Sequence, residues 1–300
     1  MGYAFGAFAA ASYGMNPLFV LPLMKAGIST YGVLAFRYFF AIPMIAIMMM
    51  ARGRSFAIRR NQFIPLMLMG FAMAGSSLTL YVAYSYIGAS IASTLLFVYP
   101  ILTAVIMAFV YKEKISIFTI FCILLAMSGI ALLYRGKDGE TLSLTGVSIV
   151  FLSALLYAVY LVACSRQRLK EIPTLKLTFY VILFGILMFL PKFELRFIDI
   201  LNNNWILWVD VICLAFFPTA LSLIATSAAI QRIGSTPVAI LGALEPVTAV
   251  AIACTLFDEP LTLRLAVGIV LIILAVTFII AAPGISKALV RVRKMFPRKR

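Results

Sequence analysis

Tyr86-Ile87-Gly88-Ala89-Ser90 and Arg232-Ile233-Gly234-Ser235-Thr236 lie far apart in one chain, and the residues downstream of each decide the fold. Twelve residues beyond the glycine stands Pro100 in the first copy and Pro246 in the second; thirteen further stand Glu113 and Glu259. Ser76 and Ser222, Leu95 and Leu241, and Ile106 and Ile252 keep the same offset of 146, while Tyr13 with Tyr157 and Thr30 with Thr174 keep an offset of 144. Agreement at one position is cheap. A glycine, a proline and a glutamate holding both intervals read as an internal repeat.

Composition says what solvent the repeats live in. Hydrophobic residues make up 64% of the 300 residues and charged residues 12%, against about 45–50% and about 25% in soluble domains. A soluble core of this length cannot bury so much apolar surface. At about 20 residues per bilayer crossing, the apolar content fills nine or ten helices. The chain therefore reads as an all-α integral membrane protein. It has no histidine, which removes histidine acid/base chemistry and the commonest metal ligand. Cys122, Cys164, Cys213 and Cys254 are widely spaced in apolar runs, as expected of lone thiols; no metal and no cofactor is expected.

Charged and turn residues divide the chain into ten expected transmembrane helices. Met1–Met24 is the first; with no basic leader it reads as a retained span and not a signal peptide. The second reaches Ala51 and stops at Arg52-Gly53-Arg54. Asn61–Tyr111 runs 51 residues without a charge, over twice a bilayer's thickness as helix, so it must turn back, at Gly88-Ala89-Ser90. Ile115–Tyr134 is the fifth span and 135–140 a polar loop; the remaining spans fall near 144–165, 174–191, 206–230, 236–257 and 262–283. The longest connection, Lys192–Asn204, has Trp205 and Trp208 beside it, as at a membrane interface.

Ten spans put both termini on one side, with eighteen of the Lys and Arg residues; six lie on the other, and Arg37 lies inside a span. The positive-inside rule then places both termini in the cytoplasm, for a multi-pass protein of the cytoplasmic (inner) membrane. The net charge of +15 is thereby a matter of orientation, with nucleic acid not expected and lipid headgroups a candidate contact for the basic tail, 285–300. Residues 1–137 and 138–284 each hold five spans, an odd number, so the two copies have opposite orientations. Their loops have exchanged charge accordingly: Lys112-Glu113-Lys114 faces in, Asp258-Glu259-Pro260 faces out. Inverted repeats that trade conformations give alternating access, the working principle of secondary transporters.

Two five-helix halves, a glycine twelve residues before a mid-helix proline, and a glutamate closing the fourth span of each half resemble the drug/metabolite transporter superfamily. Leu244-Glu245-Pro246-Val247 followed by Phe257-Asp258-Glu259-Pro260-Leu261-Thr262 is similar to the second repeat of EamA-type transporters. The resemblance covers residues 1–284. It implies a central cavity lined by spans 1, 3, 4, 6, 8 and 9, with 5 and 10 peripheral. Many members carry a tryptophan in the first span, where this chain has Ser12-Tyr13-Gly14-Met15-Asn16-Pro17.

Polar residues at membrane depth are the candidate site. Glu245 falls near the midplane, where a carboxylate costs several kcal/mol unless neutralised or paired; this suits a proton carrier or a binding group for an amine. The structural alternative is a protonated carboxyl hydrogen-bonded to the backbone carbonyl that Pro246 frees. Pro100 and Pro246 are candidate hinges. Tyr13 and Asn16 share a face of span 1 and align with Tyr157 and Tyr160 of span 6; Tyr81 and Tyr84 share a face of span 3, and Ser222, Thr226 and Ser227 lie in span 8. With Tyr99, the repeat mate of Glu245, they suit a cavity for an amphiphilic or amino-acid-like solute; interhelical hydrogen bonding is the competing role. Arg37 is expected to snorkel outward, with Asp210 or an anionic solute as alternatives. Glu113 and Glu259 are expected to anchor loops.

The function expected is secondary transport of a small organic metabolite, with export the expected direction and protons the candidate coupling ion. A passive channel or a non-transporting membrane scaffold is the alternative, and an intramembrane enzyme a weaker one, because no D-D-x-x-D, H-E-x-x-H or G-x-S-x-G run occurs.

Overall fold

A computed structural model describes residues 1–87, 89–112, 116–133, 143–165, 172–256, 263 and 266–278. Gly88, where a turn is expected, Glu113 and Glu259, the expected loop at 135–140 and the basic tail lie outside the described residues. Within them the chain is helical, without strands. Six stretches are long and apolar enough to cross a bilayer, namely Gly2–Lys25, Thr30–Ala51, Arg60–Ile87, Leu144–Cys164, Thr174–Lys192 and Trp205–Ile233, and shorter apolar helices accompany them.

Proline placement explains most of the breaks. Helices α1 (Gly2–Gly14) and α2 (Asn16–Lys25) part at Met15, because Pro17 in the first turn of α2 cannot continue the ladder. α3 (Thr30–Ala51) starts where the Ser29 hydroxyl accepts the Gly32 N–H at 3.3 Å, an N-cap. α4 (Arg60–Ile87) follows, then α5 (Ala89–Leu96) and α6 (Tyr99–Tyr111), separated at Phe97-Val98 with Pro100 in the first turn of α6. α7 (Ile117–Leu133) ends the first half.

The second half opens with α8 (Leu144–Cys164), capped by Ser143, and α9 (Thr174–Gly185), which tightens into the 3₁₀ turns Ile186–Met188 and Leu190–Lys192. The Lys192–Asn204 connection is not all loop: α10 (Arg196–Asn203) buries Phe197 and Leu201, one turn apart, and leaves its polar side out. α11 (Trp205–Ala215) passes through a π-helical segment, Phe216–Leu221, into α12 (Ser222–Ile233). Gly234, at φ +87°, turns the chain into α13 (Ser235–Leu241); a break at Gly242-Ala243 precedes α14 (Leu244–Leu256), and α15 (Ala266–Phe278) comes last.

Side chains are distributed as lipid demands. Phe109 is 81% exposed and Ile117 86%, whereas Ser12, Asn16, Arg37, Ser76, Ser153, Thr219, Ser222 and Glu245 are buried. Lipid tails give apolar side chains no reason to leave them, so close packing and hydrogen bonds hold the helices together.

The contacts come in pairs. α1 packs on α12 and α14, as α8 packs on α4 and α6. α3 packs on α11, as α9 packs on α4; α3 also meets α9, and α6 meets α13. The Ser222 hydroxyl donates to the Ala9 carbonyl at 3.0 Å, and at the residues 146 and 144 positions earlier and later, Ser76 and Ser153, the Ser153 hydroxyl donates to the Ser76 carbonyl at 2.7 Å. α7 and α15 sit at the edge against each other, with Gly129 against the Gly268 backbone and Phe118 and Phe121 against Phe278.

Candidate functional site

The sequence-selected polar residues gather into two groups at different depths. One face of the bundle holds the α1 start, the α8 end and the α12–α13 turn; the opposite face holds the α2 end, the α3 start, the α4 end and the start of α11.

Toward the first face lies a narrow cavity of about 10 Å³, room for one water. Gly6, Ala9, Ala10, Tyr99, Tyr157, Leu161, Thr226, Val238, Gly242 and Glu245 line it. The broken helices build it. The break before α14 leaves Glu245 in the first turn of that helix, and the break before α6 does the same for Tyr99. α6 and α13 touch, so the two breaks meet: the Tyr99 hydroxyl lies over Gly242, in the space that a Cβ would fill. The Tyr99 ring meets Tyr157 edge-on with centroids 4.8 Å apart, and Tyr157 stacks on Tyr160 at 6.1 Å. On the other side of the cavity Gly14 lets α1 approach the Glu245 carbonyl, 2.5 Å from an added Cβ.

Glu245 itself is buried, yet no described group hydrogen-bonds its carboxyl. The carbonyl that Pro246 frees, that of Gly242, accepts instead from the Glu245 backbone N–H at 2.9 Å. The acid is thus left facing the cavity among hydroxyl-bearing aromatic residues.

The second group surrounds Arg37, and here the outward-snorkelling expectation is wrong. Arg37 is fully buried. Its Nε donates to Thr219 Oγ1 at 2.5 Å, Nη1 to Tyr81 OH at 3.1 Å and Asn16 Oδ1 at 3.4 Å, and Nη2 to the Pro218 carbonyl at 3.0 Å. Tyr81 donates to Asn16 Oδ1 at 2.9 Å, and the Tyr13 ring faces the guanidinium at 5.5 Å. None of these acceptors is charged, and no described carboxylate, Asp210 included, pairs with Arg37.

The π-helical segment makes this possible. Pro218 has no N–H for the Leu214 carbonyl; the Thr219 hydroxyl donates to that carbonyl at 2.7 Å and keeps a lone pair for Arg37. Neither Pro218 nor Thr219 stood out in the sequence, although a Pro-Thr pair in mid-span was the available signal.

The remaining candidates surround these two groups. Tyr13 lies between them, in electrostatic reach of both Arg37 and Glu245. Tyr84 stacks on Tyr81 at 5.4 Å and its hydroxyl meets that of Ser93 at 3.3 Å, away from the cavity. The Ser222 hydroxyl is engaged by Ala9, and the hydroxyls of Tyr160 and Ser227 meet at 3.5 Å. Pro100 and Pro246 sit just after the two breaks.

An apolar exterior, buried polar residues and helices broken around a narrow cavity define a multi-pass membrane protein. The sequence model of the EamA-like transporter family matches residues 1–135 and again 144–281, and the chain belongs to that family, within the drug/metabolite transporter superfamily. An uncharacterized transporter of Synechocystis sp. (strain ATCC 27184 / PCC 6803 / Kazusa) is 30% identical over 223 residues, 73% of this chain; the match spans 65% of that protein's length. A protein of known crystal structure is superimposable with a TM-score of 0.77 at 16% identity, over 96% of this chain and 98% of that one, which shows a shared fold. The family resemblance read from the sequence holds. The small cavity is lined from α1, α6, α8, α12, α13 and α14, and α4 supplies Tyr81 to Arg37.

Proposed function

We propose that the protein is a secondary transporter in which two inverted five-helix repeats exchange conformations around the Glu245 cavity. Counting α1–α2, α5–α6, α11–α12 and α13–α14 as single broken spans gives ten crossings. The reciprocal contacts of α1 with α12 and α14, and of α8 with α4 and α6, support a two-fold relation between residues 1–137 and 138–284. The solute is a small organic metabolite, amino-acid-like or amphiphilic, and protons are the coupling ion. One observation carries this reading: a buried carboxyl with no hydrogen-bond partner among the described residues faces a cavity at the point where two broken helices meet. A structural glutamate would be bonded to its surroundings. An open one can take up a proton, or an amine, from either side in turn.

The cytoplasmic (inner) membrane with both termini inside is the proposed location. On that orientation the cavity lies toward the cytoplasm, where an exported solute would load. A solute identified by thermal-shift screening of the purified protein against a metabolite library permits the test. Vesicles loaded with unlabelled solute should transiently accumulate labelled solute from outside, by counterflow. Simple equilibration without overshoot would make the protein a channel. Single-cysteine accessibility should place positions 59 and 298 on the same side of the membrane; opposite sides would remove the ten-span topology.

A further inference from the structure

We infer that Arg37 is the centre of a latch that holds the bundle shut on the face opposite the cavity. The latch rests on alternating access as proposed for this protein, and adds to it which face is fastened and by what.

Arg37 is not an open binding group, because four of its five N–H directions already end on protein acceptors. What those acceptors have in common is their distribution. Asn16 belongs to α2, Tyr81 to α4, and Thr219 and Pro218 to the π-helical segment between α11 and α12. With Arg37 on α3, one guanidinium ties four spans together, three from the first half and one from the second. A planar cation with several fixed donors suits this better than any neutral side chain.

The two-fold-related place does not carry the same device. There Val181 stands for Arg37, and the Asn16–Tyr81 hydrogen bond at 2.9 Å has as counterpart the Tyr160–Ser227 contact at 3.5 Å. The polar pair is repeated and the cation is not. When the halves exchange conformations, the face now held by Arg37 must open, and no cation at the equivalent position closes the other. The described conformation, with its cavity toward the α1 start, is therefore the favoured one. A charge held only by neutral acceptors can also be released at moderate cost, as a gate requires, whereas a buried ion pair would resist parting.

The test uses the full chain in lipid nanodiscs, with Cys122, Cys164, Cys213 and Cys254 replaced by alanine and a single cysteine added. Val20→Cys reports on the latched face: Val20 is buried one turn beyond Asn16 toward the end of α2. Leu161→Cys reports on the cavity. Arg37→Gln should raise the maleimide-labelling rate at Val20→Cys by about tenfold and lower that at Leu161→Cys. Tyr81→Phe, which keeps the ring and removes one acceptor, should move both rates in the same directions by less. Unchanged labelling at Val20→Cys in both variants would overturn the latch. So would a rise at Val20→Cys with Leu161→Cys unchanged or also faster, since that is local loosening. Counterflow by the wild type judges alternating access separately, because it involves no change at Arg37.

Discussion

Arg37 and Glu245 are both ionisable, both buried and both at membrane depth, yet the protein treats them in opposite ways. Around Arg37 the chain supplies an acceptor for almost every donor, from separate spans, and encloses the guanidinium completely. Around Glu245 it supplies hydroxyl-bearing rings, a small void and, among the described residues, no hydrogen bond to the carboxyl. Saturation suits Arg37 to the latch inferred above, and its lack suits Glu245 to the binding role proposed for it. Each also aligns with an uncharged residue in the proposed repeat, Val181 for Arg37 and Tyr99 for Glu245.

The contrast can be broken by stability measurements, starting where the largest effect is expected. Arg37→Leu removes the hydrogen bonds to Asn16, Tyr81, Thr219 and Pro218 that tie the spans, so it should cost about 3 kcal/mol, read as a lowered unfolding temperature in detergent. A loss under about 0.5 kcal/mol would mean that the cluster does not fasten the bundle. Gly242→Ala should cost somewhat less, about 2 kcal/mol, because the new methyl collides with the Tyr99 hydroxyl. Adding Tyr99→Phe should restore part of that loss, a coupling that calorimetry of the double variant can detect. Thr219→Val, which strips a donor from the Leu214 carbonyl and an acceptor from Arg37, should cost about 1 kcal/mol. Glu245→Gln should change stability least, by under about 0.5 kcal/mol, since no hydrogen bond to a described group is lost.

The sequence conveyed one of these regions better than the other. Glu245, Tyr99, Pro100 and Pro246 lie within short stretches that the internal repeat singles out, and proline breaks a helix whatever surrounds it. Their place at two equivalent breaks was therefore legible. The Arg37 cluster was not, because its partners Asn16, Tyr81 and Thr219 come from separate spans and only packing assembles them. A lone arginine two turns from a helix end has snorkelling as its natural reading until those partners are placed. α10 escaped notice for a different reason: eight residues are too few for a periodic pattern, and only Phe197 and Leu201 mark its buried side. The Met15 break needed Pro17 to be read as a break as well as a departure from the family pattern.

Transport by Glu245→Gln tests the central claim most directly. Wild type and variant are reconstituted into proteoliposomes, and accumulation of the screened solute is followed with and without an imposed pH gradient. If Glu245 carries the coupling proton, the wild type accumulates solute when the gradient is imposed, and Glu245→Gln loses this response while keeping its fold and part of its exchange activity. Equal gradient-driven accumulation by the two proteins would contradict the claim and remove Glu245 as the proton site.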